Sequence, residues 1–241
     1  MQIGTSRLAT IAVFAAIYAV LSLIPVSRLV GSVSFLTFAE VFSPLAGMVL
    51  GPAAGGLSVF VGTFVGIALG HPVGFDGFDF IPGVVAAVTG GLAMRGNVKA
   101  TAALSLAMYS VFMLDPLSSD LVYVGSFPVP YLWMHMLSLA AFVSLSLIRR
   151  AQAGFVSQTA ILASIVFVST MNAHVAGAIM YENVLVRINH VLAASSMPGL
   201  WGVVFYAYPI ERLFFAFVGS VIAIGFFKAV PPETMRRLGH V

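Results

Sequence analysis

Few side chains in this sequence could take part in chemistry, and most of them lie within apolar stretches. The candidates for substrate binding are Glu40, Trp133, His135, Asn172, His174, Tyr208 and Glu211. Ionisable groups at membrane depth cost ~2.5–3.5 kcal/mol on insertion scales and are therefore functional candidates by default. A carboxylate, imidazoles, an amide and aromatic rings together suit a small organic ligand. We expect these residues to form a binding site, with no catalytic residues.

Each candidate also has a structural interpretation. Glu40 is the strongest candidate, but it could pair with one of the histidines inside the protein. Glu211 could pair with its neighbour Arg212, and Tyr208 could belong to an interfacial aromatic belt. A single buried histidine such as His135 is structural about as often as it contacts a ligand. These alternatives remain open at the level of sequence.

Several functional classes are excluded by what the sequence lacks. It has no cysteine, so disulfides, thiolate metal sites and cysteine catalysis are ruled out. No P-loop, HExxH or GxSxG motif is present, so neither ATP hydrolysis by this chain nor intramembrane hydrolysis has support. No aromatic and basic residues alternate in the manner of a nucleic-acid surface. We predict a protein that is not an enzyme, with no cofactor, metal or nucleic acid.

The amino-acid composition indicates that this chain lies in a membrane and not in water. It is 60% hydrophobic and 8% charged, whereas soluble domains average ~25% charged residues. We predict a single integral membrane domain over residues 1–241. The apolar segments are 7–26, 33–50, 53–70, 80–95, 98–115, 127–148, 155–180 and 203–229. Because backbone groups in lipid must pair within their own segment, an all-α bundle of 6–8 transmembrane helices is expected.

Basic residues predict the orientation of this bundle. With the N-terminus inside and eight helices, the inner side receives Arg7, Arg95, Lys99, Arg149, Arg150, Lys228, Arg236 and Arg237. The outer side receives Arg28, Arg187 and Arg212, while the only inner acid is Glu233. This agrees with the positive-inside rule, so both termini are predicted to be cytoplasmic.

The same topology predicts the depth of the candidate side chains. Glu40 lies about seven residues into its segment from the outer end, which is ~10 Å at 1.5 Å per residue. Trp133 and His135 lie six to eight residues into theirs, and the other candidates also fall in the outer half. We therefore predict a site that opens to the outside.

Small residues predict where helices approach closely. Gly51-Pro52 divides a long apolar run, because proline ends the preceding helix and glycine permits a tight inner turn. The first helix carries alanines at four-residue spacing, namely Ala12, Ala15, Ala16 and Ala19. Such a stripe lets helix backbones approach. It indicates either packing within this chain or a docking face for a partner helix.

Three stretches resemble the substrate-binding S components of energy-coupling factor (ECF) transporters, which take up vitamins in bacteria and archaea. They are "RLATIAVFAAIYAVLSLIPV", "SPLAGMVLGPAAGGLSVFVGTFVGIALG" and "YPIERLFFAFVGSVIAIGFFKAV". The resemblance implies a multi-pass protein of a prokaryotic cell membrane, surrounded by lipid, that binds a vitamin-like ligand from outside. It also implies a transmembrane coupling subunit, docked on the alanine stripe, and ATPase subunits.

Two features separate the chain from that family, and one other function remains open. The family typically has six helices, and no riboflavin- or biotin-specific motif is recognisable. The polar set Glu40, His135, Asn172 and His174 suggests a cationic or hydrogen-bond-rich heterocycle, such as a thiamine-like compound. The alternative is a non-catalytic structural subunit of a larger membrane complex, in which the small-residue faces contact the other subunits.

Overall fold

The computed structural model describes residues 5–32, 34–152, 154 and 156–231. The described part of the chain contains eight α-helices. They are α1 (Thr5–Ser22), α2 (Ala39–Leu50), α3 (Pro52–Ala68), α4 (Phe80–Met94), α5 (Val98–Met113), α6 (Trp133–Ala151), α7 (Gln158–Met180) and α8 (Met197–Ala229). The α7 helix continues as a wider π-helical segment over Tyr181–Ile188, and a short 3₁₀ turn over Ala194–Ser196 precedes α8. The predominantly helical architecture is as predicted.

Two short antiparallel hairpins accompany the helices. Strand β1 (Pro25–Arg28) pairs with β2 (Phe35–Thr37), and β3 (Leu121–Val124) pairs with β4 (Phe127–Pro130). Successive helices alternate in direction, so both hairpins lie at the same end of the bundle. We call this the hairpin end. The opposite end, which carries Gly51 and residues 95–97, is the turn end.

The helices differ in how readily they could cross a membrane. Among the described residues, the continuous segments Gln158–Ile188 and Ala194–Ala229 are the two that are long and apolar enough to be spans by length and composition. Five further apolar helices have 10–17 residues. The shortest, α2, has 12 residues, about 18 Å at 1.5 Å per residue, against ~30 Å for a hydrocarbon core. The prediction of 6–8 full spans is therefore supported directly for two helices.

The strands were not predicted, and they change the position of two site candidates. The apolar segments 33–50 and 127–148 each contain a strand ahead of their helix, since a short apolar strand has the same hydropathy as a buried helix. Glu40 is the second residue of α2, and Trp133 is the first of α6. The predicted depths of seven and of six to eight residues within a helix are therefore wrong. Glu233, Arg236 and Arg237 lie outside the described residues.

The predicted turn at Gly51 is present, and glycines bring the helices around it into backbone contact. Gly51 has φ +82°, in the left-handed region, and joins α2 directly to α3. On α2, Gly47 lies so close to α4 that an added Cβ would be 1.7 Å from the carbonyl oxygen of Ala87. On α3, a Cβ at Gly55 would be 2.6 Å from the Cα of Gly47. Helices α2, α3 and α4 thus pack through main-chain atoms.

The alanine stripe of α1 is divided between two environments. Ala15 and Ala19 are only 4% and 1% exposed, because they face Gly62 and Gly66 on α3. Ala12 and Ala16 are exposed. The four alanines therefore do not form one free docking face, and only Ala12 and Ala16 are open to a partner.

We predict that Gly47→Ala destabilises the protein, since the new methyl group has no space beside α4. Overpacking of this kind costs about 1–3 kcal/mol. The melting temperature of the purified protein in detergent, followed by tryptophan fluorescence, should fall by several degrees. Gly202→Ala is the matched control, because a Cβ at Gly202 on α8 meets no atom within 4 Å among the described residues. Equal melting temperatures for the two variants would contradict the close contact.

Candidate binding site

A cavity lies at the hairpin end, where α1 and α7 end and where α2 and α4 begin. The β1–β2 hairpin and the first half of α8 complete its wall. Its polar lining includes Arg28, Glu40, His71, Asp79, His174, Glu211 and Arg212. Its aromatic lining includes Tyr18, Phe35, Phe75, Tyr181 and Trp201. The cavity thus combines ring faces with groups of both charges, which suits a small organic molecule.

A buried ion pair crosses this cavity from α2 to α8. The Nη1 of Arg212 lies 3.5 Å from Oε2 of Glu40, and the two side chains are only 5% and 17% exposed. The Nε of Arg212 is buried with no hydrogen-bond partner among the described residues. Arg212 pairs with Glu40 and not with Glu211, which the sequence had left as one alternative, and Glu40 pairs with neither histidine. The arginine lines the cavity and keeps one buried donor without a partner among the described residues.

His174 lines the cavity and is supported from behind by two other candidates. Its Nδ1 is 2.9 Å from Nε2 of His135, which is fully buried on α6. The ring of Tyr208 stacks on His174 with centroids 4.7 Å apart, and its hydroxyl donates to the carbonyl oxygen of Tyr131. His135 and Tyr208 thus contact His174 and are not among the residues that line the cavity.

Asn172 joins three helices away from the cavity. Its Nδ2 donates to the hydroxyls of Thr89 on α4 and Ser105 on α5, at 3.1 and 2.9 Å. Its Oδ1 accepts from the hydroxyl of Tyr109 on α5. All four side chains are buried. The amide is therefore satisfied within the bundle, and its position makes it a structural group.

Trp133 and Glu211 complete the set of predicted residues. Trp133 is 38% exposed on the surface of α6 and is not among the lining residues. Glu211 does line the cavity. Of the seven candidates, the structure brings Glu40, His174 and Glu211 to the cavity. His135, Asn172 and Tyr208 are buried behind it, and Trp133 is apart from it.

The loop before α4 supplies cavity residues that were not among the candidates. The carboxylate of Asp79 accepts hydrogen bonds from the backbone N–H groups of Gly74, Phe75 and Gly77. This folds the loop so that Phe75 lines the cavity. Partial burial lowers the pKa of His71, while the nearby Asp79 opposes that shift. The aspartates and aromatics of "GHPVGFDGFDFIP" were the available signal.

A second set of contacts ties the connection between α5 and α6 to α7 and α8. Both oxygens of Asp115 accept from the guanidinium of Arg187 at 2.6 Å, and these hydrogen bonds lower the pKa of Asp115. The indole N–H of Trp201 donates to the carbonyl oxygen of Leu117. Since Trp201 also lines the cavity, these contacts fix one of its walls.

Comparison with known proteins finds a family model that matches the first part of the chain. Residues 2–117 match the family model described as the S component of an ECF-type riboflavin transporter. The resemblance to an ECF-type S component is confirmed. S components are membrane subunits of prokaryotic vitamin transporters and are not enzymes. Neither a curated protein nor a solved structure matches the chain.

The match covers just under half of the chain, from α1 to the end of α5. Glu40 and Asp79 belong to the matched part, whereas His174 and Arg212 lie beyond it. The cavity is thus built jointly by the part of the chain that matches the family model and by the part beyond it.

We predict that Asn172→Ala lowers stability rather than acting on a ligand directly. The substitution removes three buried hydrogen bonds, each worth about 0.5–1.5 kcal/mol. The hydroxyls of Ser105 and Tyr109 keep the backbone carbonyl oxygens of Thr101 and His135 as acceptors. The melting temperature should fall clearly, whereas Trp133→Phe, on the exposed face of α6, should leave it unchanged. A wild-type melting temperature for Asn172→Ala would show that the network carries no stability.

Proposed function

We propose that this chain is the substrate-binding membrane subunit of an ATP-driven, multi-component importer. It captures a small vitamin-like molecule from outside in the cavity at the hairpin end. The observation that carries this proposal is the cavity itself. It places an incompletely bonded arginine, a carboxylate and a histidine among aromatic walls, in a chain related to S components.

The distribution of charge supports an outward-facing cavity. At the turn end, the described basic residues are Arg7, Arg95, Lys99, Arg149, Arg150 and Lys228. The acids of the described residues all lie toward the hairpin end. By the positive-inside rule the turn end faces the cytoplasm, together with the start of α1 and the end of α8. A ligand would then enter from outside, with the eight helices embedded as a single multi-pass domain.

The chemistry of the cavity favours a flat, neutral heterocycle, and the family description points to riboflavin. Aromatic side chains such as Phe35, Phe75 and Trp201 offer faces for a ring system. Because Glu40 is already paired with Arg212, its charge is not free to recognise a cation. This argues against the thiamine-like compound suggested by sequence and supports a ligand of the flavin type.

Energy for transport would come from partner subunits. The sequence has no P-loop, so ATPase subunits must act through a transmembrane coupling subunit. We place the coupling subunit on the exposed side of α1, at Ala12 and Ala16, where small residues allow a second helix to approach. The structural-subunit alternative loses its main observation, because Ala15, Ala19 and Gly47 pack within this chain.

Loss of either member of the buried ion pair should weaken ligand binding. We expect Glu40→Gln and Arg212→Gln each to reduce riboflavin affinity at least about tenfold, the effect of one lost charge-assisted hydrogen bond. Quenching of flavin fluorescence on titration with protein measures this, and Trp133→Phe is the control. Melting temperatures identify variants that fail to fold. Riboflavin affinity within twofold of wild type for folded Glu40→Gln would place the site elsewhere.

A bulky residue on the exposed side of α1 should block assembly and spare ligand binding. Ala16→Trp should reduce the amount of coupling subunit and ATPases that co-purify with the tagged protein by tenfold or more. Ala103→Trp makes the same change at an exposed position of α5 and should leave co-purification intact. Recovery of redox or other enzyme subunits in place of ATPases would support the structural-subunit alternative.

A further inference from the structure

The two buried histidines, His135 and His174, are hydrogen-bonded to each other, and the direction of this bond determines what His174 offers to a ligand. His174 lines the cavity, and its Nδ1 is 2.9 Å from Nε2 of His135. We propose that His135 is a positioning residue, which donates its Nε2 proton to His174 and so makes His174 present an N–H donor to the ligand. The part concerning the ligand rests on the proposed function.

Both imidazoles are neutral in this setting. His135 is fully buried and His174 is 9% exposed, at the cavity that already holds the guanidinium of Arg212. A further cation in this apolar surrounding would be strongly disfavoured. A neutral imidazole carries one N–H and one acceptor nitrogen, so one ring must donate to the other across the short contact.

The surroundings of His135 decide which ring is the donor. Its Nδ1 is buried and has no hydrogen-bond partner among the described residues. A proton on Nδ1 would therefore be a buried N–H with no acceptor, which folded proteins rarely tolerate. A proton on Nε2 instead has an acceptor, the Nδ1 of His174. The favoured arrangement is His135 Nε2–H donating to Nδ1 of His174.

This arrangement sets the hydrogen-bonding character of the cavity. With Nδ1 of His174 accepting, the proton of that ring must sit on Nε2. That nitrogen has no hydrogen-bond partner in residues 5–32, 34–152, 154 and 156–231. At His174 the cavity therefore presents a donor, so the ligand atom that meets it is an acceptor. Carbonyl oxygens and unprotonated ring nitrogens, as on the polar edge of a flavin, satisfy this requirement.

Histidine-selective ¹⁵N NMR of the full-length protein in micelles tests the pair without ligand. We expect His174 to be protonated on Nε2 in the wild type. His135→Gln should keep this form, since a glutamine amide can donate from nearly the same place. In His135→Phe the donor is lost, so His174 should no longer be held in the Nε2-protonated form and should show a mixture of tautomers. A wild-type His174 protonated on Nδ1, or a charged ring at neutral pH, would overturn the proposal, and this reading needs no variant to fold.

Ligand affinity gives the second measurement. Riboflavin binding should weaken about tenfold in His135→Phe, the effect of one lost hydrogen bond, and stay within about threefold in His135→Gln. Equal weakening in both folded variants would show that His135 only fills space. A protein that keeps the Nε2–H form but does not bind riboflavin would refute the flavin assignment while supporting the role of His135.

Discussion

Main-chain contact between α2, α3 and α4 is the constraint on which the rest of the structure depends. Gly47 and Gly55 leave no room for side chains between these helices. Without a hydrophobic driving force in lipid, such close contact supplies the attraction that holds helices together. The short α2 is therefore held firmly at the centre of the bundle. The position of its first turn is thereby fixed, and the Glu40 side chain of that turn pairs with Arg212.

The polar groups inside the bundle follow from the same absence of water. Asn172 binds three hydroxyls on two other helices, and His135 binds His174. A buried polar group without a partner is costly, so these contacts fix how α4, α5, α6 and α7 are rotated relative to one another. The unpartnered atoms are then informative. Arg212, whose Nε has no partner among the described residues, lines the cavity, and the unpartnered Nδ1 of His135 is the basis for the tautomer that we propose.

Much of the fold was accessible from sequence, because composition and breakers act locally. The turn at Gly51 follows from a glycine and a proline, and the helical segments follow from hydropathy. The strand pairs could not be predicted in this way, because the strands Phe35–Thr37 and Phe127–Pro130 lie within apolar segments that hydropathy assigns to helices. The alanine stripe was recognised by spacing, but spacing does not say that Ala15 and Ala19 face α3.

The candidate site was accessible only in part. Glu40 and His174 stand out because charged and titratable groups are rare in apolar segments. The partner of Glu40 is 172 positions away, beyond any local pattern. Which of the two histidines reaches the cavity depends on the rotation of α6 against α7, and that rotation is determined by packing. Asp79 acts through backbone contacts of its own loop, which composition does not show.

The joint construction of the cavity has a consequence for how such a protein can diverge. On the proposed function, the surface offered to the coupling subunit lies on α1, whereas His174 and Arg212 belong to α7 and α8. Substitutions in the last two long helices can therefore retune which molecule is recognised without disturbing the interface to the energising machinery. Assembly and selectivity can then evolve at separate rates within one short polypeptide.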